Sequence, residues 1–377
     1  MKKIGVHSLL ILFCFLRSFA QEGTLDFDGQ VAAFTGYLPQ RPSSFMAGAR
    51  YIPQLNIIRS LDSTTKIDGE FSVNLYGTAT IRTGQTTAWN ADLNPYRIWL
   101  RYARPRFELR GGLQKIDFGS ATALRPLQWF NQIDPRDPLQ ITNGVYGLLG
   151  RYYFLNNANI WAWGLYGNHE RRGLDVAAGN PRRPEFGSRF QLPVPKGELA
   201  FSWHRRHANP SGLTTPSQSD VPEDRFGIDG KWDLGIGLWI EAVYTHLHLP
   251  AEPIANQVLA TIGADYTFGL GNGLNAVMEH LVFTLDKKAF AFDHPGQFTA
   301  AILAYPLSIN DQLTAIQYYN WEAAKFSFFM NYQHQFPRIT GYLMAFYIPP
   351  GLTAIQQTDW ITPFSGPGLR VMLVYNH

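Results

Sequence analysis

Arginine, the side chain that keeps its charge at any accessible pH, recurs at Arg97, Arg101, Arg106 and Arg110, with Glu108 among them. A second charged series follows at once: Asp117, Arg125, Asp134, Arg136 and Asp137. Guanidiniums and carboxylates facing each other across a narrow water column focus a transverse field. That chemistry sorts solutes and makes no bonds. The other reactive side chains lead nowhere as specific. His204/His207 and His246/His248 are the close histidine pairs, and the second alternates onto one face with a spacing open to a metal. No cysteine supports such a site, so interfacial or loop histidines are the plainer reading. Neither Gly-x-Ser-x-Gly nor His-Glu-x-x-His occurs, and scattered Ser, His and Asp support no triad. The expectation is a protein that is no enzyme and implies no cofactor or metal.

The elements that must position these charges are strands. In Lys66–Tyr76, Ile67, Gly69, Phe71, Val73 and Leu75 interleave with Lys66, Asp68, Glu70, Ser72 and Asn74. Period two means an extended strand with one apolar and one polar face. The pattern returns eighteen times: near 23–36, 47–58, 66–80, 94–104, 105–116, 144–156, 159–169, 185–193, 196–207, 223–234, 235–249, 256–269, 272–285, 294–306, 310–321, 324–335, 337–348 and 367–377. Sixteen strands would leave the class unchanged. Almost nothing reads as a helix.

Composition separates a membrane barrel from a soluble sandwich. Residues 1–20 read as a signal peptide: Lys2 and Lys3, an apolar Leu9–Leu16, then Ser18-Phe19-Ala20 before Gln21. Cys14 invites a lipid anchor, but Phe13 stands where a small residue is needed. Cleavage would leave 377 − 20 = 357 residues with no cysteine. It would also take Lys2, Lys3 and Arg17, so 32 − 3 = 29 basic residues would balance 29 acidic ones. A nucleic-acid partner loses its main support. Aromatics are 14% and charged residues only 16% of the chain, below the roughly 25% usual for soluble proteins. No long uncharged apolar run follows the signal, which excludes α-helical spans.

The connections alternate in length. Ala103-Arg104-Pro105, Asn156-Asn157, Pro193–Lys196, Leu234-Gly235, Gly269–Gly273, Ser308–Asp311 and Phe336-Pro337 are short. The intervening linkers are longer: 37–46, 81–93, 117–143, 170–184, 208–222, 286–293 and 349–366. Short turns on one rim and long loops on the other, with an even strand number, describe a transmembrane antiparallel up-and-down β-barrel. The fold class is all-β, with residues 21–377 a single barrel and both termini on the short-turn, periplasmic rim. No fixed-period repeat suggests a propeller.

The lipid-facing series runs through Leu25/Phe27/Val31, Ile98/Leu100/Tyr102, Phe107/Leu109/Leu113, Leu199/Phe201/Trp203 and Phe226/Ile228/Trp232/Leu234. Charges fill the opposite faces: Asp26 and Asp28, Lys66, Asp68 and Glu70, then Arg225, Asp229, Lys231 and Asp233. An Arg or Lys on the lipid face would cost about 2–4 kcal/mol near the midplane, so these face water or one another.

A tight turn at Ala103–Pro105 would set Arg101 opposite Arg106 and Arg97 opposite Arg110. Like charges so placed repel and need counter-charges or an anionic solute. The long third outward loop, 117–143, is the obvious source. Pro126, Pro135 and Pro138 limit its freedom, and Asp before Pro favours defined turns. An unbroken loop of this length is either functional or disordered, and this composition argues for order. It either braces the rim or folds into the lumen as a constriction of Asp117, Arg125, Asp134, Arg136 and Asp137; one does not forbid the other.

Here the chain resembles a known group. Gly112-Leu113-Gln114-Lys115-Ile116-Asp117-Phe118-Gly119, followed by Asn131 and Asp134-Pro135-Arg136-Asp137-Pro138, looks like outer-membrane porin-type channels, whose third loop forms the constriction. Eighteen strands and lumenal arginines are similar to alginate-export and sugar-porin barrels. The motif-level likeness covers about residues 105–156. One departure stands out: such barrels often end in Phe or Trp, read by the barrel-assembly machinery, whereas this chain ends Val374-Tyr375-Asn376-His377. The resemblance implies an outer-membrane channel with lipid, the assembly machinery and a small polar or anionic solute or polysaccharide as partners. The alternative is a plugged barrel serving as surface receptor, adhesin or assembly component.

Overall fold

The computed structural model describes residues 23–39, 43–82, 84–214, 217–249, 252–349 and 366–377; the proposed signal segment lies outside them. Nineteen strands form one sheet: β1 (Thr24–Leu38), β2 (Ser44–Ser60), β3 (Lys66–Arg82), β4 (Ala88–Arg104), β5 (Phe107–Gln114), β6 (Val145–Tyr153), β7 (Asn159–Leu165), β8 (Ala178–Gly179), β9 (Glu185–Val194), β10 (Gly197–Asn209), β11 (Val221–Asp233), β12 (Gly237–Leu247), β13 (Asn256–Phe268), β14 (Leu274–Asp286), β15 (Gly296–Pro306), β16 (Asp311–Asn320), β17 (Lys325–Gln335), β18 (Ile339–Ile348) and β19 (Gly366–Asn376). Consecutive strands pair antiparallel, and β1 pairs with both β2 and β19, so the sheet closes. The two-residue β8 pairs only with the end of β10. Eighteen strands therefore make the up-and-down barrel, and β8 is an extra.

Alternation explains the closure. In β19 Leu369, Val371, Leu373 and Tyr375 are exposed, while Arg370, Met372 and Val374 are buried. The seam is completed by His377, whose backbone N–H and carbonyl exchange hydrogen bonds with Gly29 at 3.0 and 3.1 Å. A closed barrel leaves no strand edge and resists SDS until heated. The folded chain is expected to migrate faster in unheated than in boiled SDS gels; a single unchanged band would contradict the barrel.

Several limits differ from the sequence reading. β4 begins at Ala88, because residues 88–94 alternate and pair with β3 from Thr80↔Ala88 onward, so the expected 81–93 linker shrinks. The β4–β5 turn is Pro105-Arg106, with Arg104 opposite Phe107. That register places Arg101 opposite Arg110, correcting the expected Arg101–Arg106 and Arg97–Arg110 pairs. Arg106 sits in the turn, exposed. Leu113, assigned to the lipid face, is buried. The alternation breaks beside it at Gly112, whose φ of 118° suits glycine, and a Cβ there would collide with the Ile98 carbonyl.

Candidate functional site

The segment 115–144 between β5 and β6 carries no strand, yet it is among the most buried parts of the chain. Ile116, Ala123, Leu124, Leu127, Trp129 and Phe130 are all at most 2% exposed. It reaches inward-facing side chains from most of the barrel wall. Phe118 stacks on Trp163 of β7 with ring centroids 5.8 Å apart, and Phe130 meets the same indole edge-on at 5.3 Å. Trp163 donates its Nε1–H to Nδ1 of His204 on β10 at 3.1 Å. That leaves the imidazole proton on Nε2, which faces Glu185 at 3.2 Å.

Two carboxylates hold the middle of the segment. Glu279 of β14 accepts the backbone N–H groups of Thr122, Ala123 and Leu124 at 2.5, 2.8 and 2.6 Å, and the Trp239 indole N–H at 3.0 Å. Glu241 of β12 accepts those of Ala121 and Leu127 at 2.7 and 3.2 Å. Consecutive N–H groups converging on one anion form a nest, which offsets part of the cost of burying the charge. Thr261 of β13 returns a hydrogen bond to the Leu124 carbonyl at 2.8 Å. Gly119 makes the approach possible: its φ is 101°, and a Cβ there would collide with the Glu241 carboxylate.

The charged residues of the segment mostly satisfy each other. Arg125 pairs with Asp117 at 2.9 Å, and Lys115 lies 3.4 Å from the same carboxylate. Burial opposes ionisation of Asp117, but Arg125 and Lys115 hold it below the ordinary carboxylate range. Asp134 binds Arg136 through Nε and Nη2 at 2.8 and 2.7 Å. Asp137 accepts the N–H groups of Leu139 and Ile141, both at 3.0 Å. Burial pushes Asp137 up to about 6, against those hydrogen bonds and the charge of Arg50 on β2; Arg370 of β19 also feels its charge.

On the wall, the arginine cluster is smaller than expected and finds its acids elsewhere. Arg101 binds Asp68 of β3 through Nε and Nη2 at 2.9 and 2.5 Å. Glu108 lies 3.3 Å from Arg101, 3.6 Å from Arg110 and 3.0 Å from Arg151 of β6. Arg97 donates to the Thr142 carbonyl and hydroxyl at 3.0 and 2.9 Å. The counter-charges thus come from β3 and β5. The long segment contributes only Thr142, because Asp117 and Asp134 already face its own Arg125 and Arg136, and Asp137 lies toward Arg50 and Arg370. Arg106 takes no part.

Sequence reasoning missed Glu241, Glu279 and Arg151. Their signal is a lone charge at inward parity in an otherwise apolar strand, as in Trp239-Ile240-Glu241-Ala242-Val243. It also missed a buried network on β10 and β11. Arg206 lies between Asp175 at 2.9 Å and Glu223 at 2.6 Å, while Arg225 reaches the same two carboxylates at 2.8 and 2.6 Å. Arg206 also donates to the Ala177 carbonyl, tying the segment after β7 to the wall. His246 and His248 bond Asn256 and Asp224 at 2.8 and 3.0 Å. Among the described residues no group of three or more His, Cys, Asp or Glu is arranged to hold a metal.

The inner wall is two-sided. From β14 to β19, Leu281, Ile316, Phe329, Met344 and Met372 are buried in one apolar cluster with Leu124, Leu127 and Phe130. On β3 and β4, Asn74, Tyr76 and Thr78 stay half-buried, and their partners Asn94, Asp92 and Asn90 are exposed.

No family model and no curated protein sequence matches the chain. Solved structures do. OccK7 (OpdD) of Pseudomonas aeruginosa superposes with a TM-score of 0.56 at 10% identity, over 94% of this chain and 98% of that one. OmpF of Salmonella typhi, in complex with daunomycin, gives 0.51 at 8% identity, over 95% and 99%. The outer membrane channel DcaP of Acinetobacter baumannii gives 0.50 at 12%, over 95% and 98%. At such identities the likeness is one of architecture: this chain has the fold of outer-membrane porins.

Proposed function

We propose that the chain is an outer-membrane channel whose lumen is narrowed by residues 117–143, and that polar or anionic solutes pass along the inner wall of β3 and β4. The observation that carries this reading is the two-sidedness of the wall. Water-accessible Asn, Asp, Thr and Tyr line the β3–β4 side, and the far side packs against the long segment. Next to that track Arg97, Arg101, Arg110 and Arg151 stand among Asp68, Glu70 and Glu108, with Asp92 on the track itself. Fixed charges of both signs beside a narrow water column focus a field across it that favours hydrated polar and charged solutes over apolar ones. The channel DcaP, of the same fold, supports conduction in general. Asp117, Arg125, Asp134, Arg136 and Asp137 then serve as the internal frame of the constriction. Tyr375 would take the place of the terminal aromatic that the barrel-assembly machinery reads.

Planar-bilayer recording tests this. The barrel should show steady openings, and replacing Arg97, Arg101 and Arg110 by glutamine should move the reversal potential in a salt gradient toward the cation value. An unmoved potential would put these arginines outside the conduction path.

A pH dependence follows from Asp137. Its pKa in place, about 6, lies above the ordinary 3.8. The buried carboxyl is therefore protonated below about pH 6, and its contribution to seating the segment is greatest on the acid side and declines as pH rises from about 4 through 6. Protonation also removes a negative charge facing Arg50 and Arg370. Anion preference should therefore grow as pH falls through 6, and Asp137→Asn should flatten that curve. A wild-type curve without an inflection in that range would rule the titration out.

A second reading, a plugged barrel acting through its outer loops, draws on the apolar cluster that crosses from Phe34 on β1 through Leu124 to Phe329 on β17. A barrel electrically silent both before and after deletion of 120–140 would select it.

A further inference from the structure

A turn in the segment between β7 and β9, Arg172–Asp175, lies directly against the constricting segment. The Asp175 N–H closes it onto the Arg172 carbonyl at 3.0 Å, and Gly173 takes a φ of 53°. Glycine is needed there twice over. The backbone is left-handed, and a Cβ would come within 2.6 Å of the Gln128 carbonyl oxygen and 3.0 Å of the Gln128 Cβ. Leu174 packs on the apolar cluster that contains Leu127, Trp129 and Phe130. Arg172, buried, reaches the Trp129 carbonyl at 3.5 Å and Glu185 of β9 at 3.4 Å. Glu185 in turn faces His204, whose ring stacks on Trp129 at 6.0 Å and meets Phe130 edge-on at 5.1 Å. Residues 128–130 are thus clasped between this turn and the wall.

The turn is moored on both sides. Asp175 holds Arg206 and Arg225 at 2.9 and 2.8 Å, the Leu174 carbonyl accepts from Gln257 of β13 at 3.1 Å, and β8 joins the end of β10. Upstream, Asn168 exchanges hydrogen bonds of 3.0 and 3.2 Å with the backbone of Tyr146 on β6. Between these moorings His169, Glu170 and Arg171 are exposed. Exposed Arg171 is the immediate neighbour of buried Arg172, so the outer surface and the constriction are joined through one peptide bond. Glu241 and Glu279 secure residues 121–127, whereas the turn acts on 128–130. An element with fixed ends and its tip on another segment can sit or lift as a unit.

We propose that residues 168–180 are a strap that holds Gln128–Phe130 down, so that the constriction is set from the outer surface as well as from the wall. The strap itself is independent of whether the lumen conducts; its effect on current rests on the channel reading. Amide exchange on the barrel in detergent, alongside planar-bilayer recording, tests it. Gly173→Val drives a branched side chain against the Gln128 carbonyl. The amides of Gln128 and Trp129, which donate to the Arg125 and Leu127 carbonyls at 3.4 and 2.8 Å, should then exchange about tenfold faster or more. Those of Ala123 and Leu124, held by Glu279, should keep their rates. Openings should become more frequent. Glu170→Gln, which touches only the surface pair with His169, should change neither readout. Should Gly173→Val lose its heat-shifted gel mobility, Leu174→Ala replaces it with the same expectation. Unchanged exchange at Gln128 and Trp129 would overturn the proposal. Equal acceleration at Ala123 and Leu124 would also overturn it, as would a conducting barrel with unaltered openings. A barrel silent throughout whose Gln128 and Trp129 amides are freed would support the strap and count against conduction alone.

Discussion

Exchanging Glu241 and Glu279 together for glutamine is expected to raise single-channel conductance several-fold and to make it noisy. The two carboxylates receive five backbone N–H groups from residues 121–127. Hydrogen bonds to a charged acceptor are worth about 1.5–3 kcal/mol each, and an N–H left buried without one carries its full desolvation cost. Glutamine keeps one acceptor oxygen but turns an NH2 donor toward donors. The segment then loses its attachment to β12 and β14 while its ends remain fixed in β5 and β6. Packing of Leu124, Leu127 and Phe130 would hold it part of the time, which is why fluctuating current is expected. Each single variant should give an intermediate change. Conductance and noise equal to wild type in the double variant would show that apolar packing alone seats the segment.

Arg206→Met should cost about 3–5 kcal/mol of stability, read as a lower midpoint of urea unfolding in detergent. Arg206 is 1% exposed and bridges Asp175 and Glu223. Removing it leaves two buried carboxylates with Arg225 as the remaining arginine between them. Arg206→Lys should recover little, because a point charge cannot reproduce the paired bonds from Nε and Nη2 to Glu223 at 2.6 and 3.1 Å. The same variant should expose residues 170–177 to protease, since the Ala177 carbonyl loses its donor. An unchanged midpoint would mean that water, rather than Arg206, satisfies those acids.

The strands were legible because a barrel wall imposes one rule on every residue, apolar outward and otherwise inward, and the rule is local. The longest loops were legible for the same reason, as gaps in a local pattern, whereas the expected 37–46 and 81–93 linkers proved to be half strand or more. Register across a hairpin is not local. Whether Arg101 faces Arg106 or Arg110 turns on which two residues make the turn, and Ala103-Arg104-Pro105-Arg106 allows both. Pairings across the lumen are further still from the sequence. Asp68 and Glu108 stood out as charges on the right face, but it takes the β5–β6 register, across the long segment, to set Arg151 directly opposite Glu108. Nothing near residue 121 announces that its N–H groups will meet Glu241 and Glu279. The segment 117–143 was identifiable by its prolines and Asp-Pro steps. Its acids proved to be partnered inside the segment, a consequence of its tight turns that charge counting does not reveal.

The residues that meet at the carboxylate nest lie far apart along the chain: Ala121 and Glu241 are separated by 120 positions, Thr122 and Glu279 by 157. Closing so long a loop costs chain entropy before any hydrogen bond returns it. The anchor for residues 121–127 does not exist until β12 to β14 have been laid down. The order of assembly is thereby set: the wall grows first around an open interior, and the constriction seats late, onto strands that follow it by a third of the chain. Refolding followed by two probes should separate the events, with gel mobility shifting before the amides of 121–127 become protected from exchange. A barrel stalled between those steps would be closed at its seam and ungated at its centre.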